Sequence, residues 1–532
     1  MKFFNTAGPV NQEEHYKLDP LHRWDLEEIL FLIQQKKYFV LHAPRQTGKT
    51  SCLLALQDYL NKSGNYNCIY LNVEGAQVAR NDIAKGMKTI LSQLCEEGKV
   101  CSQHSLPFTP ASIIESSGAG DSLHSILRQL CEFSAKPLVL FIDEIDALVG
   151  DTLISVLRQL RSGYNNRPYK FPVSLILCGV RDIKDYRIYR SDGDIITGGS
   201  CFNIKSESLR LGNFSKDEVH KLLMEHTIET GQKFEDGVCD YIFGQTDGQP
   251  WLVNALAFEL TFKMKENREP SILITKEMTK IAVNRIIVSR AVHLDQLADK
   301  LKEDRVRRVV LPMILGSDEG LANPDDEEYC IDLGLIKKGQ KGLVIANPIY
   351  NEIIPRELTK SKQTNFLSRF DPQWINSDGS LNTRMLFNLF GDFWRKNTDI
   401  WKKDMSGYQE AAPHLVFQAF LQRVANGCGH VSREYALGRG RTDLFLEWEG
   451  PSIQRVVIEL KIMRKRDGFE TCRQEALEQT LEYAKKCSGS EYHKVECHII
   501  IFDRDKKMAE WQNGLFSKTV EHEGIETTLW GM

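Results

Sequence analysis

The chain has 532 residues, 42% of them hydrophobic and 26% charged, a composition typical of globular proteins. Its length predicts several domains, because one hydrophobic core does not support so long a chain. The formal net charge of −4 excludes a general electrostatic attraction to nucleic acid. Any such attraction must come from local patches.

The N-terminal residues have neither the basic start nor the apolar core of a signal peptide. The longest apolar runs are far shorter than the roughly 20 residues that span a bilayer, so we expect no membrane partner. The 13 cysteines include no Cys-x-x-Cys pair, which fits reduced thiols. We therefore expect a cytoplasmic protein.

Strand-like runs alternate with helical stretches between residues 25 and 205. This alternation predicts a parallel sheet flanked by helices. The strand-like runs are Tyr38–His42, Cys68–Val73, Leu138–Ile142 and Val173–Cys178.

A phosphate-binding loop is predicted directly after the first run, before a predicted helix at Ser51–Leu60. Its residues are Ala43, Pro44, Arg45, Gln46, Thr47, Gly48, Lys49 and Thr50. Strand, loop and helix are the context of a Walker A motif, whose backbone N–H groups surround the phosphates of ATP. We expect Lys49 to pair with the β- and γ-phosphates and Thr50 to bind Mg²⁺.

The apolar run Leu138–Ile142 ends in two acids, Asp143 and Glu144, as a Walker B strand does. Asp143 is expected to hold Mg²⁺, mostly through water. Glu144 is expected to polarise the water that attacks the γ-phosphate.

On these motifs, residues 1 to about 360 resemble the STAND/AAA-like P-loop ATPases. The resemblance implies that Arg181 is a sensor arginine and that Pro250, in Gly248-Gln-Pro250, packs near the base. It also implies that residues 16–28, with Arg23, cover adenine, and that the chain forms homo-oligomers. A solvated arginine, a helix-breaking turn and an ordinary helix start remain open alternatives.

After Ser215, whose spacing to Glu218 predicts a helix-starting capping box, the pattern becomes helical. Farther on, a helix at Arg305–Leu315 and two strand-like pieces, Tyr329–Ile336 and Gly342–Ala346, predict a winged-helix-like module. The turn between the two strand-like pieces is expected at Lys337–Gln340. Its basic residues are more simply solubilising charge than phosphate ligands.

Two alternating strands are predicted around a turn centred near Pro451. Equal distances from this turn place Asp443 directly opposite Glu459, on the face that also carries Lys461. Two facing carboxylates repel each other unless a cation lies between them or one is protonated, and Mg²⁺ or Mn²⁺ is the simplest resolution. Lys461 is then placed to orient the metal-activated nucleophile.

Aspartate followed by Glu-x-Lys on paired strands resembles the PD-(D/E)XK nucleases, and residues 384–532 resemble that superfamily. Gln479 and Tyr483 resemble the QxxxY motif of its RecB-type members, which implies that Gln479 helps to hold the metal or the substrate. The family also supplies an acid from a preceding helix. Glu410 is the candidate, with Glu434 as the alternative.

Basic residues crowd the same region and predict attraction to a polyanion, although a merely solvated basic face is an equal alternative for each of them. They are Arg439, Arg441, Arg464, Lys465, Arg466 and Arg473. We favour DNA over RNA as the partner, and the strandedness stays open.

The predicted fold class is α/β: a P-loop NTPase parallel sheet with a helical lid and a winged-helix-like module, plus a C-terminal α/β restriction-endonuclease-like domain. The expected segments are an ATPase core at 1–206, a lid at 207–294, the winged-helix-like module at 295–358, a linker at 359–383 and the nuclease domain at 384–532.

The function predicted from these sites is an ATP-controlled nuclease that uses Mg²⁺ or Mn²⁺. The resemblance to prokaryotic relatives implies a role in defence or mobile-element biology. The alternative is an ATP-dependent switch whose nuclease-like domain binds nucleic acid or a partner without cleaving. A helicase-type motor is disfavoured, because no second motor domain is visible.

Overall fold

The computed structural model describes residues 2–101, 107–181, 188–189, 195–196, 207–289, 299–315, 323–339, 342–354, 374–404, 412–425, 429–437, 440–463, 469–487, 495–503 and 516–532. The chain forms two compact units. Met1–His293 and Asn323–Pro348 make up the first, and Leu294–Ala322 and Ile349–Met532 make up the second. The chain therefore passes from one unit to the other three times.

The first unit is built on a five-stranded parallel sheet with the order β2-β3-β4-β1-β7. The described strands of this unit up to residue 210 are β1 (Tyr38–His42), β2 (Asn67–Asn72), β3 (Leu138–Asp143), β4 (Ser174–Gly179), the short pair β5 (Ile188–Tyr189) and β6 (Ile195–Ile196), and β7 (Glu207–Arg210). The four predicted strands are confirmed to within one residue at each end.

Helices cover both faces of this sheet, because alternate strand residues point to opposite sides. The helices are α1 (Leu26–Gln34), α2 (Lys49–Ser63), α3 (Ile83–Glu97), α4 (Pro110–Ser117), α5 (Ser122–Phe133) and α6 (Gly150–Ser162). Tyr38 and Val40 belong to the core shared with α3, α5 and α6, whereas Phe39 and Leu41 belong to the core shared with α1 and α2. The predicted parallel sheet with flanking helices is therefore confirmed.

A group of helices follows the sheet. They are α7 (Lys216–Thr230), α8 (Val238–Thr246), α9 (Pro250–Phe258) and α10 (Lys276–Ser289). The predicted capping box starts α7, since the Ser215 hydroxyl accepts the Glu218 N–H at 3.2 Å and Glu218 Oε2 accepts the Ser215 N–H at 2.7 Å. Gly248, before α9, has φ of +67° and packs on the carbonyl of Phe214.

The winged-helix prediction needs correction at Tyr329–Ile336. The first half of those residues belongs to a helix, α12 (Pro324–Asp332), and only the last of them belongs to a strand, β8 (Ile336–Gly339), which pairs with β9 (Gly342–Ile345). The expected turn at Lys337–Gln340 therefore falls largely within β8. The helix forms because the Asn323 side chain caps it, a proline stands at its first position, and three acids fill its first turn.

The second unit begins with α11 (Asp304–Leu315), the helix predicted at 305–315. Its main part is a six-stranded mixed sheet with the order β10-β11-β12-β13-β15-β14. The strands are β10 (Gly429–Leu437), β11 (Gly440–Glu449), β12 (Ile453–Met463), β13 (Val495–Asp503), β14 (Phe516–His522) and β15 (Ile525–Gly531). β12, β13 and β15 run parallel, and the remaining pairs are antiparallel.

Three helices, α13 (Thr383–Asp404), α14 (Ala412–Ala425) and α15 (Phe469–Cys487), accompany this sheet. Aromatic residues of α13 lie against one face, where Phe387 is 4.5 Å from the His498 ring and 5.5 Å from the Trp530 ring. The other face packs on α15, where Phe445 and Val457 share a core cluster with Ala484. The sheet is thus covered on both sides.

The predicted linker needs a partial correction. Residues 374–382 pack on the second unit's sheet: the Trp448 indole donates to Gly379 O at 3.0 Å, and Leu381 N donates to Gln454 Oε1 at 2.6 Å. Residues 359–373 lie outside the described residues. Within the part of the chain that is described, no helix is both long and apolar enough to cross a membrane.

Candidate functional site

The phosphate-binding loop joins the end of β1 to the start of α2. Gly48 precedes α2 with φ of +94°, a left-handed conformation that glycine adopts without strain. The Lys49 ammonium is buried and donates to the carbonyl oxygens of Ala43 at 2.9 Å and of Pro44 at 3.0 Å. The loop therefore keeps a positive charge beside the N-terminus of α2, where the helix dipole also favours anions.

Asp143 ends β3 and is 0% exposed. Its Oδ2 atom accepts hydrogen bonds from the Thr50 hydroxyl at 2.7 Å and from the Tyr70 phenol at 2.8 Å. The structure thus brings the two predicted Mg²⁺ ligands of this site together. A carboxylate and a hydroxyl are hard oxygen ligands of the kind that Mg²⁺ takes, so the donor set fits that ion.

Tyr70 is a neighbour of the Walker motifs that no sequence pattern marks. Burial, and after it the charge of Asp143, raises the pKa of the Tyr70 phenol, so the group stays a hydroxyl donor at neutral pH. The one available signal was its place near the end of β2, the strand that pairs with the Asp143 strand.

Glu144 has φ of +56°, an uncommon backbone conformation for a residue with a Cβ atom. Burial, and next the charge of Asp146, raises the pKa of the Glu144 carboxyl, while Lys49 lowers it. A carboxylate of raised pKa accepts a proton more readily, which is the property that a general base needs.

A cavity beside the loop is lined by the N-terminal segment (residues 5–23) and by residues of α7 and α9. Its lining includes Tyr16, Arg23, Gln46, Ser51, Pro250 and Trp251. The N-terminal segment, the loop and α9 therefore meet around one space. Arg23 and Pro250, which the family resemblance implicates in base binding, both line this cavity.

Arg23 connects the loop to the lid. Its guanidinium donates to Gly212 O at 2.6 Å and to Thr47 O at 3.4 Å, and it lies 4.4 Å from the centroid of the Phe214 ring. Its Nε atom lies 3.6 Å from Glu218 Oε1, on α7. Burial lowers the pKa of Arg23, yet a guanidinium stays charged in proteins, so a cation remains at this junction.

A chain of buried hydrogen bonds fixes Tyr16 at the cavity wall. The Gln232 amide donates to the carbonyl oxygens of Asn267 at 2.8 Å and of Ile272 at 3.1 Å, so its Oε1 is the acceptor for His226 Nε2 at 2.8 Å. His226 Nδ1 then accepts the Tyr16 hydroxyl at 3.1 Å. Burial lowers the pKa of His226 and raises that of Tyr16 to about 12, so both groups are neutral at pH 7.

Arg181 follows β4, and its guanidinium lies 4.8 Å from the centroid of the Tyr329 ring on α12. Nearby, His42 Nδ1, at the end of β1, lies 3.6 Å from Asp332 Oδ1 at the end of α12. The helix α12, part of which was predicted as a strand, therefore contacts one residue that ends β1 and one that follows β4.

In the second unit, β11 and β12 form the predicted hairpin. Its register, in which Leu444 pairs with Ile458, puts the open end of the hairpin at Asp443 and Glu459. The side chain of Asp443 lies outside the described residues, so its approach to Glu459 stays a prediction.

Glu459 is 3% exposed and lies on the β12 face that packs against α15. Its Oε1 atom lies 3.2 Å from the Lys461 ammonium. Lys461 also donates to Gln479 Oε1, on α15, at 2.5 Å. The structure therefore brings three predicted site residues together, with the lysine held between a carboxylate and an amide.

Residue Glu410 and the side chains of Glu434 and Tyr483 lie outside the described residues. Among the described residues, no group of three histidine, cysteine, aspartate or glutamate side chains is placed to hold a metal. Of the basic residues, Arg473 forms an ion pair with Glu470 at 2.8 Å. The other five predicted basic side chains also lie outside the described residues.

Comparison with protein families matches a separate stretch of the chain to each of two families. Residues 33–186 match the family model described as AAA domain, and residues 409–512 match the PD-(D/E)XK nuclease superfamily. The chain thus joins an AAA-type P-loop ATPase domain to a C-terminal PD-(D/E)XK nuclease domain. The comparison supports neither the finer STAND and RecB-like resemblances nor a prokaryotic origin.

No curated protein matches the chain. Among solved structures, the Walker-type ATPase PABY2304 of Pyrococcus abyssi is 14% identical, with a TM-score of 0.44, over 66% of this chain and 99% of that one. Cdc6p from Pyrobaculum aerophilum is 14% identical, with a TM-score of 0.35, over 64% and 93%. The RuvB Holliday junction branch migration motor of Thermotoga maritima is 13% identical, with a TM-score of 0.31, over 60% and 92%. Similarities this low say nothing about function.

Proposed function

We propose that this chain is an ATP-controlled nuclease, in which ATP binding and hydrolysis at the P-loop license cleavage of phosphodiester bonds by the C-terminal domain. The observation that carries the proposal is the Lys461 ammonium held between the buried Glu459 carboxylate and the Gln479 amide. A buried acid and a lysine on one strand, with an amide reaching the lysine from a helix, is an arrangement that active sites use.

In the ATPase half, Lys49 neutralises the phosphates and Thr50, with Asp143, holds Mg²⁺. Glu144 takes a proton from the attacking water. Support comes from the hydrogen bond between Thr50 and Asp143 and from the raised pKa of Glu144. Arg181 and Pro250 serve as the sensor and the base contact, as the family resemblance implies.

In the nuclease half, Glu459 and Asp443 hold a divalent ion, with Glu410 as the third acid. When bound there, the ion lowers the pKa of a water molecule and supplies the nucleophile. Lys461 orients that nucleophile and offsets charge at phosphorus. The role that we propose for Gln479 follows from its hydrogen bond with Lys461: it holds the lysine in place. This role differs from the metal-holding role that the sequence motif implies.

The substrate that we propose is nucleic acid, and DNA before RNA. Homo-oligomerisation of the ATPase domain is part of the proposal, as is a role in prokaryotic defence or mobile-element biology. These finer points rest on the family resemblance alone.

The test is a cleavage assay on labelled single- and double-stranded DNA and RNA, with Mg²⁺ or Mn²⁺, in the presence of ATP, a non-hydrolysable analogue, ADP or no nucleotide. We expect metal-dependent cleavage whose rate changes between the ATP and nucleotide-free samples. Lys49→Ala should remove the nucleotide effect, and Glu459→Gln should remove cleavage while ATP binding persists.

Glu478→Gln is the matched control for the second variant, because Glu478 is an exposed acid on α15 next to Gln479. Cleavage that survives in Glu459→Gln would refute the assigned site. The complete absence of cleavage in the wild type, under every metal and nucleotide condition, would instead favour a switch that binds without cutting.

A further inference from the structure

We propose that Tyr70 is a positioning residue of the ATPase site, which orients the Asp143 carboxylate for the Mg²⁺ ion that arrives with the nucleotide. This inference rests on the proposed ATPase function. The family motifs that define the site do not include Tyr70, which lies on β2, whereas Asp143 ends β3 and Thr50 lies on α2.

The first step concerns Asp143 Oδ2, an oxygen atom that accepts two hydrogen bonds. Asp143 Oδ2 accepts the Tyr70 hydroxyl at 2.8 Å and the Thr50 hydroxyl at 2.7 Å, so both of its lone-pair directions are used. The other oxygen, Oδ1, accepts the Glu144 backbone N–H at 2.9 Å. The carboxylate is therefore held by one donor from β2, one from α2 and the backbone N–H of the next residue. The plane of the carboxylate cannot turn freely.

The second step is the direction of the Tyr70 proton. An ionised carboxylate has no proton to donate, so Asp143 only accepts hydrogen bonds. The Tyr70 hydroxyl is therefore the donor to Asp143 Oδ2 at 2.8 Å, and its proton points to Asp143.

The third step is what the arrangement does for Thr50. While the Thr50 proton goes to Asp143, the lone pairs of the Thr50 oxygen stay available for the ion. Tyr70 occupies the remaining direction at Oδ2, so it fixes the carboxylate that in turn fixes Thr50. The ring of Tyr70 packs with the core on the α2 side, and phenylalanine would fill the same space. The hydroxyl is thus separable from the packing.

The experiment compares Tyr70→Phe with the wild type by measuring the affinity for a fluorescent ATP analogue in EDTA and across a Mg²⁺ titration. In EDTA, we expect the two dissociation constants to agree. In the titration, the Mg²⁺ concentration for half-maximal effect should rise about tenfold, the typical cost of losing a residue that orients a metal ligand. The kcat for ATP hydrolysis should fall, whereas KM for ATP at saturating Mg²⁺ should change little.

Tyr59→Phe is the control, because Tyr59 is 40% exposed on α2. A merely structural role for Tyr70 predicts equal weakening with and without Mg²⁺ together with a lower melting temperature, and that result would overturn the proposal. An unchanged Mg²⁺ dependence in Tyr70→Phe would also overturn it. A wild type that binds no nucleotide would refute the ATPase function itself, which is a distinguishable failure.

Discussion

The Lys461 ammonium lies 3.2 Å from Glu459 Oε1, two residues earlier on the same strand. Residues i and i+2 share one face of a strand, so the pairing is built into β12 itself. Glu459 is buried and Lys461 is partly exposed, so the ion pair extends from the protein core towards the surface.

The first prediction concerns Glu459. Glu459→Gln preserves shape and removes the charge that would bind the ion, so the cleavage rate should fall about a thousandfold, or roughly 4 kcal/mol in transition-state stabilisation. ATP hydrolysis, measured by phosphate release, should not change. Loss of both activities would point to misfolding or to a shared site rather than to separate chemistry.

The second prediction concerns Gln479. In Gln479→Ala, Lys461 loses one of its two described partners. A hydrogen bond to a charged group contributes about 1.5 kcal/mol, so its loss should lower the cleavage rate roughly tenfold. We expect the change in kcat and little change in substrate affinity. Gln474→Ala, at an exposed position on the same helix, is the control. A change confined to substrate affinity would instead assign Gln479 to substrate binding.

The third prediction concerns the pH dependence of ATP hydrolysis. Burial, and then Asp146, raises the pKa of Glu144 above the ordinary glutamate range. A general base works when deprotonated, so the rate should be lost as pH falls through that raised pKa. Asp146→Asn removes a charge but keeps an oxygen for the Val180 N–H, which Asp146 now accepts at 3.0 Å. The acid limb of the kcat profile should then move to lower pH.

Asp151→Asn, on α6, is the matched control and should leave the profile where it is. An acid limb that does not move in Asp146→Asn would exclude Glu144 as the group that titrates. Phosphate release measured in overlapping buffers of constant ionic strength is a sufficient readout.

The fourth prediction compares two glycines of the lid. A Cβ atom on Gly248 would lie 1.9 Å from Phe214 O, and its φ of +67° disfavours other residues. Gly248→Ala should therefore lower the free energy of unfolding by about 1–3 kcal/mol. Gly244, inside α8, has open space around it, so Gly244→Ala should raise that free energy by about 0.5–1 kcal/mol.

Denaturant unfolding of both variants gives the comparison directly. The loop before α9 also sets Pro250 at the cavity, so nucleotide affinity should weaken in Gly248→Ala and not in Gly244→Ala. Two variants of equal stability would contradict the close contact at Phe214.

The sequence was most informative where one local motif fixes a strand end. Thr50 and Asp143 are 93 residues apart and still form a hydrogen bond. They meet because Thr50 comes after β1 and Asp143 ends β3, and both strands belong to the same parallel sheet. The hairpin around Pro451 was predictable for a similar reason, since its symmetry alone sets the register. Both predictions needed only periodicity and turn position.

The sequence was least informative where several elements meet. Alternating apolar residues at 329–335 imitate a strand, but the cap at Asn323 and the following proline start a helix there. Tyr70 carries no motif, and its role depends on a strand pairing between chain segments. The packing of α15 on Phe445 and Val457 could not be predicted either. Alternation of apolar and polar residues does not reveal that a strand is buried on both faces.

Residues 323–348 belong to the first unit, whereas the stretches before and after them belong to the second. Each unit is therefore made of two separate stretches of the chain, so no single cut in the sequence separates the two units. A polypeptide that stops at residue 293 would leave Arg181 without its Tyr329 ring contact and His42 without Asp332. Dissection of the activities is better served by point variants in the intact chain than by separated fragments.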